Sequence, residues 1–297
     1  MPEGPEVRRY ADLLSTNLEG QQLVALWTRL KIAKSWLAEH ESAIIGQKIE
    51  RIFSHGKHLL GLLSGDFYFH SHLMMWGSWQ IFDRSPAEID RRERTRIVTP
   101  NGAAILYSAP TFALGRGNPY AQIPILAELG TDVLPYVGDF DRESFLKRLF
   151  AAENLDTAVG AALLNQRILA GIGNYLRAEI LFNCRINPWH AVGELSDEEI
   201  ECLSLTIPHF AVLAYKTGGF TVTDENKQRL LTEHGLAYRT GSEWGARHYV
   251  FRRTNLPCLS CGGKIKQKRQ VTREAEDGED DKTRIIYFCP NCQNVHE

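Results

Sequence analysis

The sequence predicts an α+β, multi-domain chain: an N-terminal antiparallel β-sandwich with a flanking helix, a helical domain, and a C-terminal β-hairpin organised around a metal. Three observations carry this. Residues 20–108 break into short strand-like segments separated by Gly, Asn and Asp. Residues 142–215 carry longer apolar patterns of helical period. Two Cys-x2-Cys pairs close the chain.

Taken in order, the first element is a helix over residues 6–14. Val7, Tyr10, Ala11 and Leu14 repeat at i, i+3, i+4 and i+7, and Pro5 suits a first turn, where a missing N–H costs nothing. Strands follow at Leu23–Trp27, Lys48–Ser54, Leu59–Leu63, Phe67–His72, Ser78–Phe82, Thr95–Val98 and Ala103–Tyr107. So many short strands favour a sandwich or barrel. A loop-like stretch over 109–140 leads to helices at Arg142–Ala151, Ala158–Leu169, Tyr175–Phe182 and Asp197–Tyr215. From about residue 240 the chain reads as a cysteine-rich hairpin. Boundaries are expected near 1–133, 134–240 and 241–297, in two lobes flanking a cleft.

A chain of 297 residues with 43% hydrophobic and 24% charged residues is ordinary for a globular protein. No apolar run approaches the roughly 18 residues of a membrane helix, and Met1–Glu6 lacks the features of a secretory signal. An intracellular, cytoplasmic location is expected. The net charge of −2 does not advertise an anionic partner, but its distribution does. Residues 246–273 hold eight Lys or Arg and no acid, whereas 274–281 hold six acids. A local basic segment neutralises phosphates whatever the total charge.

Cys258, Cys261, Cys289 and Cys292 form the two knuckles, while Cys184 and Cys202 stand apart. Paired knuckles in an intracellular chain indicate a tetrahedral structural zinc, one per chain. Four thiolates leave no open position for catalysis. The 27 residues between the knuckles exceed the usual spacing, and the excess coincides with the acidic stretch.

The chemistry begins at the N-terminus. Removal of Met1 leaves Pro2 with a free secondary amine, and an α-amino group near pKa 8 has an appreciable neutral fraction at physiological pH. Such an amine can attack a sugar C1′ and form an iminium. The positive end of the following helix favours the neutral nucleophile, and Glu3 and Glu6 supply carboxyls for proton transfer. The same Pro-Glu-Gly-Pro-Glu run also serves as a plain helix cap.

Gly56-Lys57 ends one strand pattern and opens another. His70 and His72 share a strand face, with no third ligand at metal spacing. Met74, Met75 and Trp76 are either core residues or, on a loop tip, wedges able to enter a base stack. In Leu163–Arg177 a helix ends at Gly171 and Gly173, and another starts with Asn174 as its N-cap, offering free N–H groups to a phosphate.

Together these motifs resemble the formamidopyrimidine-DNA glycosylase/endonuclease VIII family over essentially the whole chain. The likeness rests on Pro-Glu-Gly-Pro-Glu, the Gly-Lys turn, the segment ending Ala-Gly-Ile-Gly-Asn-Tyr, and a zinc finger with Arg284 five residues before Cys289. It implies a helix–two-turn–helix DNA-binding domain and a bifunctional glycosylase and lyase of base excision repair, acting as a monomer on double-stranded DNA. Pro2 is then the Schiff-base nucleophile and Glu3 the proton donor. Lys57 assists elimination, Asn174 and Arg284 grip phosphates, and Arg284 aids the second elimination. Met74, Met75 and Trp76 fill the space left by a flipped base, with Glu6 and Glu179 supporting. The product is a one-nucleotide gap with phosphate at both ends, formed by β,δ-elimination.

Within the family the sequence leans to endonuclease VIII and oxidised pyrimidines. Purine-lesion members present Arg-Arg-Phe-Gly where this chain has Leu106–Phe112. Excision of oxidised purines is the alternative, and a zinc-dependent damaged-DNA-binding protein without catalysis is a third reading. Three features depart from the pattern: methionines in the wedge, Glu128 where a basic contact is common, and the acidic insertion beside Arg284.

Overall fold

The structure, a computed structural model, describes residues 2–232, 247–273 and 281–295. Met1, and most of the acidic insertion at 274–281, lie outside the described residues. The chain divides into two compact units, residues 1–129 with 135–138, and residues 130–134 with 139–297.

The first unit opens with α1 (Gly4–Leu18), which buries Val7, Ala11, Leu14 and Leu18 on one face. Then come β1 (Ala25–Thr28), α2 (Lys31–Ile44), β2 (Ile49–His55), β3 (His58–Leu63), β4 (Phe67–His72), β5 (Ser78–Phe82), β6 (Glu93–Thr99), β7 (Gly102–Tyr107) and β8 (Thr111–Arg116). Two short helices, α3 (Pro119–Gln122) and α4 (Pro124–Ala127), end the unit's main run. The strands form two four-stranded antiparallel sheets, β1-β6-β7-β5 and β2-β3-β4-β8. One apolar core joins both sheets to both long helices, through Leu14, Ile44, Ile52, Phe69, Trp79 and Ile97. Burying each such side chain stabilises the unit by about 1.5–3 kcal/mol.

Two elements here differ from the sequence expectation. Residues 31–44 are a helix inside what reads as an all-strand region. Its signal was present: Ala33, Leu37 and Ile44 are buried, with half-buried Trp36 and His40 at the intervening helical positions. Residues 111–116 are a strand rather than loop, because β4 pairs with them along its whole length.

The second unit contains β9 (Thr131–Asp132), α5 (Arg142–Leu149), α6 (Val159–Ala162), β10 (Leu169–Ala170), α7 (Asn174–Asn183), α8 (Asp197–Thr217), α9 (Asp224–Thr232), β11 (Lys266–Arg273) and β12 (Lys282–Phe288). The helix expected over 158–169 shrinks to α6. Beyond it Gln166 gives the backbone side-chain partners: it donates to the carbonyls of Leu164 and Ile172 and accepts from the N–H of Gly171. The tight turns between α6 and α7 are thereby held without a long helix. The N-cap of α7 is Gly173 and Asn174 is its first helical residue, so the helix begins one position earlier than expected. α8 starts from a capping box of Ser196 and Glu199.

The core of this unit runs from α7 (Leu176, Ile180) and α8 (Ile207) into the hairpin (Ile286, Phe288). The reading of Cys184 and Cys202 as separate thiols is overturned. α7 and α8 pack side by side, which brings the two Cα atoms to 5.7 Å, and the sulfurs are bonded as a disulfide. Among the described residues, no helix is long and apolar enough to cross a membrane.

Candidate functional site

In the first unit the N-terminal residues are held by their own helix. Glu3 is the N-cap of α1 and only 2% exposed. Its backbone N–H donates to Glu6 Oε2 at 2.8 Å, so the carboxylate one turn along fixes the peptide that follows Pro2. Pro5 occupies the first turn as its missing N–H allows. Pro2 is half-buried at the positive end of a 15-residue helix. Arg8 braces the next turn, with Nε on Asp12 at 2.9 Å and Nη1 on the Pro135 carbonyl at 3.2 Å.

Lys57 sits in the two-residue turn joining β2 to β3, where His55 pairs with His58. Gly56 takes the first turn position with φ 54°, a geometry that a glycine-first hairpin turn demands. Around this turn the structure gathers histidines that the sequence reading left unassigned. His58 lies opposite His72 and beside His70, with His58 Nδ1 and His70 Nε2 2.9 Å apart. Burial and the neighbouring imidazoles push His58 down to about 2. Burial lowers His70 and His72 to about 4, helped at His72 by the Lys57 charge. All three are neutral at pH 7. Among the described residues the one group of three or more such side chains that could hold a metal ion is the cysteine set.

The same cluster reaches the turn between β4 and β5. His72 Nδ1 accepts from the Met74 backbone N–H at 3.1 Å, which requires an unprotonated nitrogen. Met74, Met75 and Trp76 are 47%, 58% and 78% exposed, while Leu73 on one side is buried. Of the two readings of this apolar run, the exposed turn holds. Beside this turn, β7 and β8 are joined by only Ser108, Ala109 and Pro110, with Ala109 fully buried.

In the second unit Asn174 is half-buried at the start of α7. Glu179, on the same helix, is fully buried. Its carboxylate accepts from the backbone N–H groups of Tyr249 (2.6 Å), Val250 (2.9 Å) and Phe251 (2.9 Å), and from the Thr221 hydroxyl (2.7 Å). Burial pushes this carboxyl up and the four hydrogen bonds pull it back. Glu179 thus ties α7 to the chain entering the cysteine knuckles.

Arg284 lies on β12, directly opposite Gln270. It shares a strand face with Ile286 and Phe288 by period two. Those two are buried and Arg284 is exposed, so the core-facing side of the hairpin runs out from the core at this residue. The four cysteine sulfurs lie within 4.8 Å of one another, with Cys258–Cys292 at 3.8 Å and Cys261–Cys289 at 3.5 Å. Thiolates about 2.3 Å from a tetrahedral ion stand about 3.8 Å apart, so the set can hold a metal ion.

The formamidopyrimidine-DNA glycosylase N-terminal domain matches residues 1–111, and that enzyme's H2TH domain matches 129–226. Endonuclease 8 of Pectobacterium carotovorum subsp. carotovorum is 31% identical over 294 residues, covering 99% of this chain and 100% of its own. The chain belongs to the formamidopyrimidine-DNA glycosylase/endonuclease 8 family. Members are DNA glycosylases with abasic-site lyase activity, and the chain is a base-excision-repair enzyme of this kind. Endonuclease 8 of Klebsiella pneumoniae is 32% identical over 295 residues with the same coverage. Among solved structures, Lactococcus lactis Fpg in complex with abasic-site DNA matches with a TM-score of 0.75 at 22% identity, covering 98% of this chain and 99% of that one. MutM in complex with carbocyclic 8-oxo-G DNA matches equally well, with a TM-score of 0.75 at 22% identity over the same shares. At that identity the two structures speak for the family fold.

Proposed function

We propose that the chain excises oxidised pyrimidines from double-stranded DNA through the amine of Pro2 and then cuts the strand on both sides of the lost base. The observation that carries the reading is the N-terminal arrangement: Pro2 at a helix N-terminus, a buried Glu3, and a Glu6 carboxylate locking the peptide between them. The freed Pro2 nitrogen bonds to C1′ as the C1′–base bond breaks and gives up its proton; the C1′–O4′ bond then opens as Glu3 delivers a proton to O4′. The resulting iminium acidifies C2′; loss of that proton expels the 3′ phosphate, and a second elimination expels the 5′ phosphate. A base inside the stack is out of reach, so the nucleotide is flipped, and Met74, Met75 and Trp76 occupy the vacated space. Lys57 assists elimination, and Asn174 and Arg284 hold phosphates.

Zinc is the ion for the four cysteines, since all-thiolate tetrahedral sets select it and the sulfur spacings fit. It folds the hairpin that presents Arg284 and has no part in the bond-breaking steps. The chain acts as an intracellular monomer on duplex DNA.

Pyrimidine preference is supported by the tight link between β7 and β8, where a buried Ala109 stands in the segment at which purine-lesion members present arginines. Competing thymine-glycol and oxidised-guanine duplexes in one reaction tests it. Faster release at thymine glycol, with phosphate on both sides of the gap, is expected; preferred cutting at oxidised guanine contradicts it.

A further inference from the structure

The guanidinium of Arg177 is completely buried in the second unit. A charge there costs several kcal/mol unless hydrogen bonds replace its water, and four neutral oxygens accept from its two Nη groups. Nη1 donates to the Gly160 carbonyl and to Gln270 Oε1, each at 3.0 Å. Nη2 donates to the Ile285 carbonyl at 3.0 Å and to Asn174 Oδ1 at 3.4 Å. These acceptors belong to α6, α7, β11 and β12. Gln270 completes the link by donating Nε2 to the Pro188 carbonyl at 2.7 Å. The joint is tight: a Cβ on Gly160 would stand 2.6 Å from Gln270 Oε1.

Two consequences follow for the residues assigned to phosphates. Arg177 lies three positions after Asn174, so both share a helix face. Its bond draws Asn174 Oδ1 inward, which turns the amide NH2, a donor, outward. On the hairpin the guanidinium grips both sides of Arg284, through its cross-strand partner Gln270 and its neighbour Ile285.

We infer that Arg177 is a positioning residue that fixes Asn174 and Arg284 at one spacing, so that the two act as a single clamp on the DNA backbone. This rests on the phosphate roles proposed above for Asn174 and Arg284.

The experiment is a double-mutant cycle on the full-length zinc-loaded protein, with R177M, R284A and the double variant. Affinity for a duplex carrying a tetrahydrofuran abasic analogue is measured across a salt series, and borohydride trapping is measured beside it. R284A is expected to weaken binding at least fivefold and to lower the salt slope by about one contact. R177M should do at least as much, and the double variant should be no more than twofold weaker than R177M. Trapping at saturating DNA should persist in R177M. Q270M removes one acceptor of the same joint and takes the place of R177M, under the same criteria, should R177M lose its zinc or its thermal transition. Multiplicative effects in the double variant, or unchanged binding and slope in a folded R177M beside a weakened R284A, overturn the inference alone. An R284A that binds as tightly as the parent removes the phosphate reading and the inference with it.

Discussion

The backbone N–H of Glu3 donates to the Glu6 carboxylate at 2.8 Å, so the residue after the proposed nucleophile is fixed by the first turn of its own helix. With Pro2 as the proposed nucleophile, Glu6 is expected to act on the chemistry through the orientation of Pro2. Glu6→Ala should cost about 1 kcal/mol of stability, the usual value of a lost helix cap. The trapping rate on abasic DNA should fall tenfold or more while affinity changes less than threefold. Glu6→Gln keeps an acceptor oxygen and should recover most of the rate. Stopped-flow binding and single-turnover trapping separate the two effects; equal losses in both contradict the assignment.

Met74, Met75 and Trp76 are exposed, so their removal should leave the fold alone. Trp76→Ala and Met74→Ala should shift the thermal midpoint by less than about 2 °C, consistent with surface substitutions. Both should weaken binding to lesion duplexes several-fold, with less effect on single strands, where no stack has to be filled. Melting curves beside duplex and single-strand titrations check this. A large loss of stability would return these residues to the core.

The histidines His58 and His70, buried, and His72, half-buried, give the first unit a pH dependence of known sign. His58, His70 and His72 are pushed down to about 2, 4 and 4, whereas in the unfolded chain they titrate near the ordinary 6.5. Between pH 6.5 and 4 the unfolded state therefore binds more protons. Stability is fully present above pH 6.5 and falls as the solution is acidified, by about 1.4 kcal/mol per pH unit for each histidine. His70→Gln should remove about one proton from that slope in urea titrations at pH 7, 6 and 5. An unchanged slope would show that His70 titrates normally in the folded chain.

The cysteine set predicts a dependence on metal confined to the hairpin. Chelation or Cys258→Ser should release about one zinc per chain and weaken binding to lesion duplexes at least tenfold, because folding there is coupled to ligation. The β-sandwich signal in circular dichroism should remain. A verified metal-free protein that binds and cuts normally rules the dependence out.

The parts of the fold legible in the sequence are those whose signals are local. Val7, Ala11 and Leu14 mark α1 by period alone, and the strands Phe67–His72 and Ser78–Phe82 lie where alternation places them. Two Cys-x2-Cys pairs identify the cysteine cluster at once. β8 was hidden because its strand character depends on pairing with β4, a partner some forty residues away. α2 was legible but overshadowed by the strands around it. The Cys184–Cys202 bridge follows from the packing of α7 on α8, which no spacing rule reveals.

The proposed site residues divide the same way. Pro2, Glu3, Lys57, Asn174 and Arg284 stand in short motifs, and a reader of motifs finds them. Arg177, Gln270, His58 and His70 act through contacts between distant segments, and a single sequence carries no mark of them. Arg177 came nearest to being visible, three residues from Asn174 on the face that the helix must bury.

The central claim is that the amine of Pro2 forms the covalent bond to DNA. The most direct test is to reduce a reaction of the protein and thymine-glycol duplex with borohydride, digest the adduct, and locate the cross-link by tandem mass spectrometry. The account predicts deoxyribose on the nitrogen of an N-terminal peptide beginning at Pro2, with Met1 absent, and no adduct from Pro2→Gly lacking its own free terminus. A cross-link on Lys57 or any other lysine, or full trapping by protein that retains Met1, would contradict it.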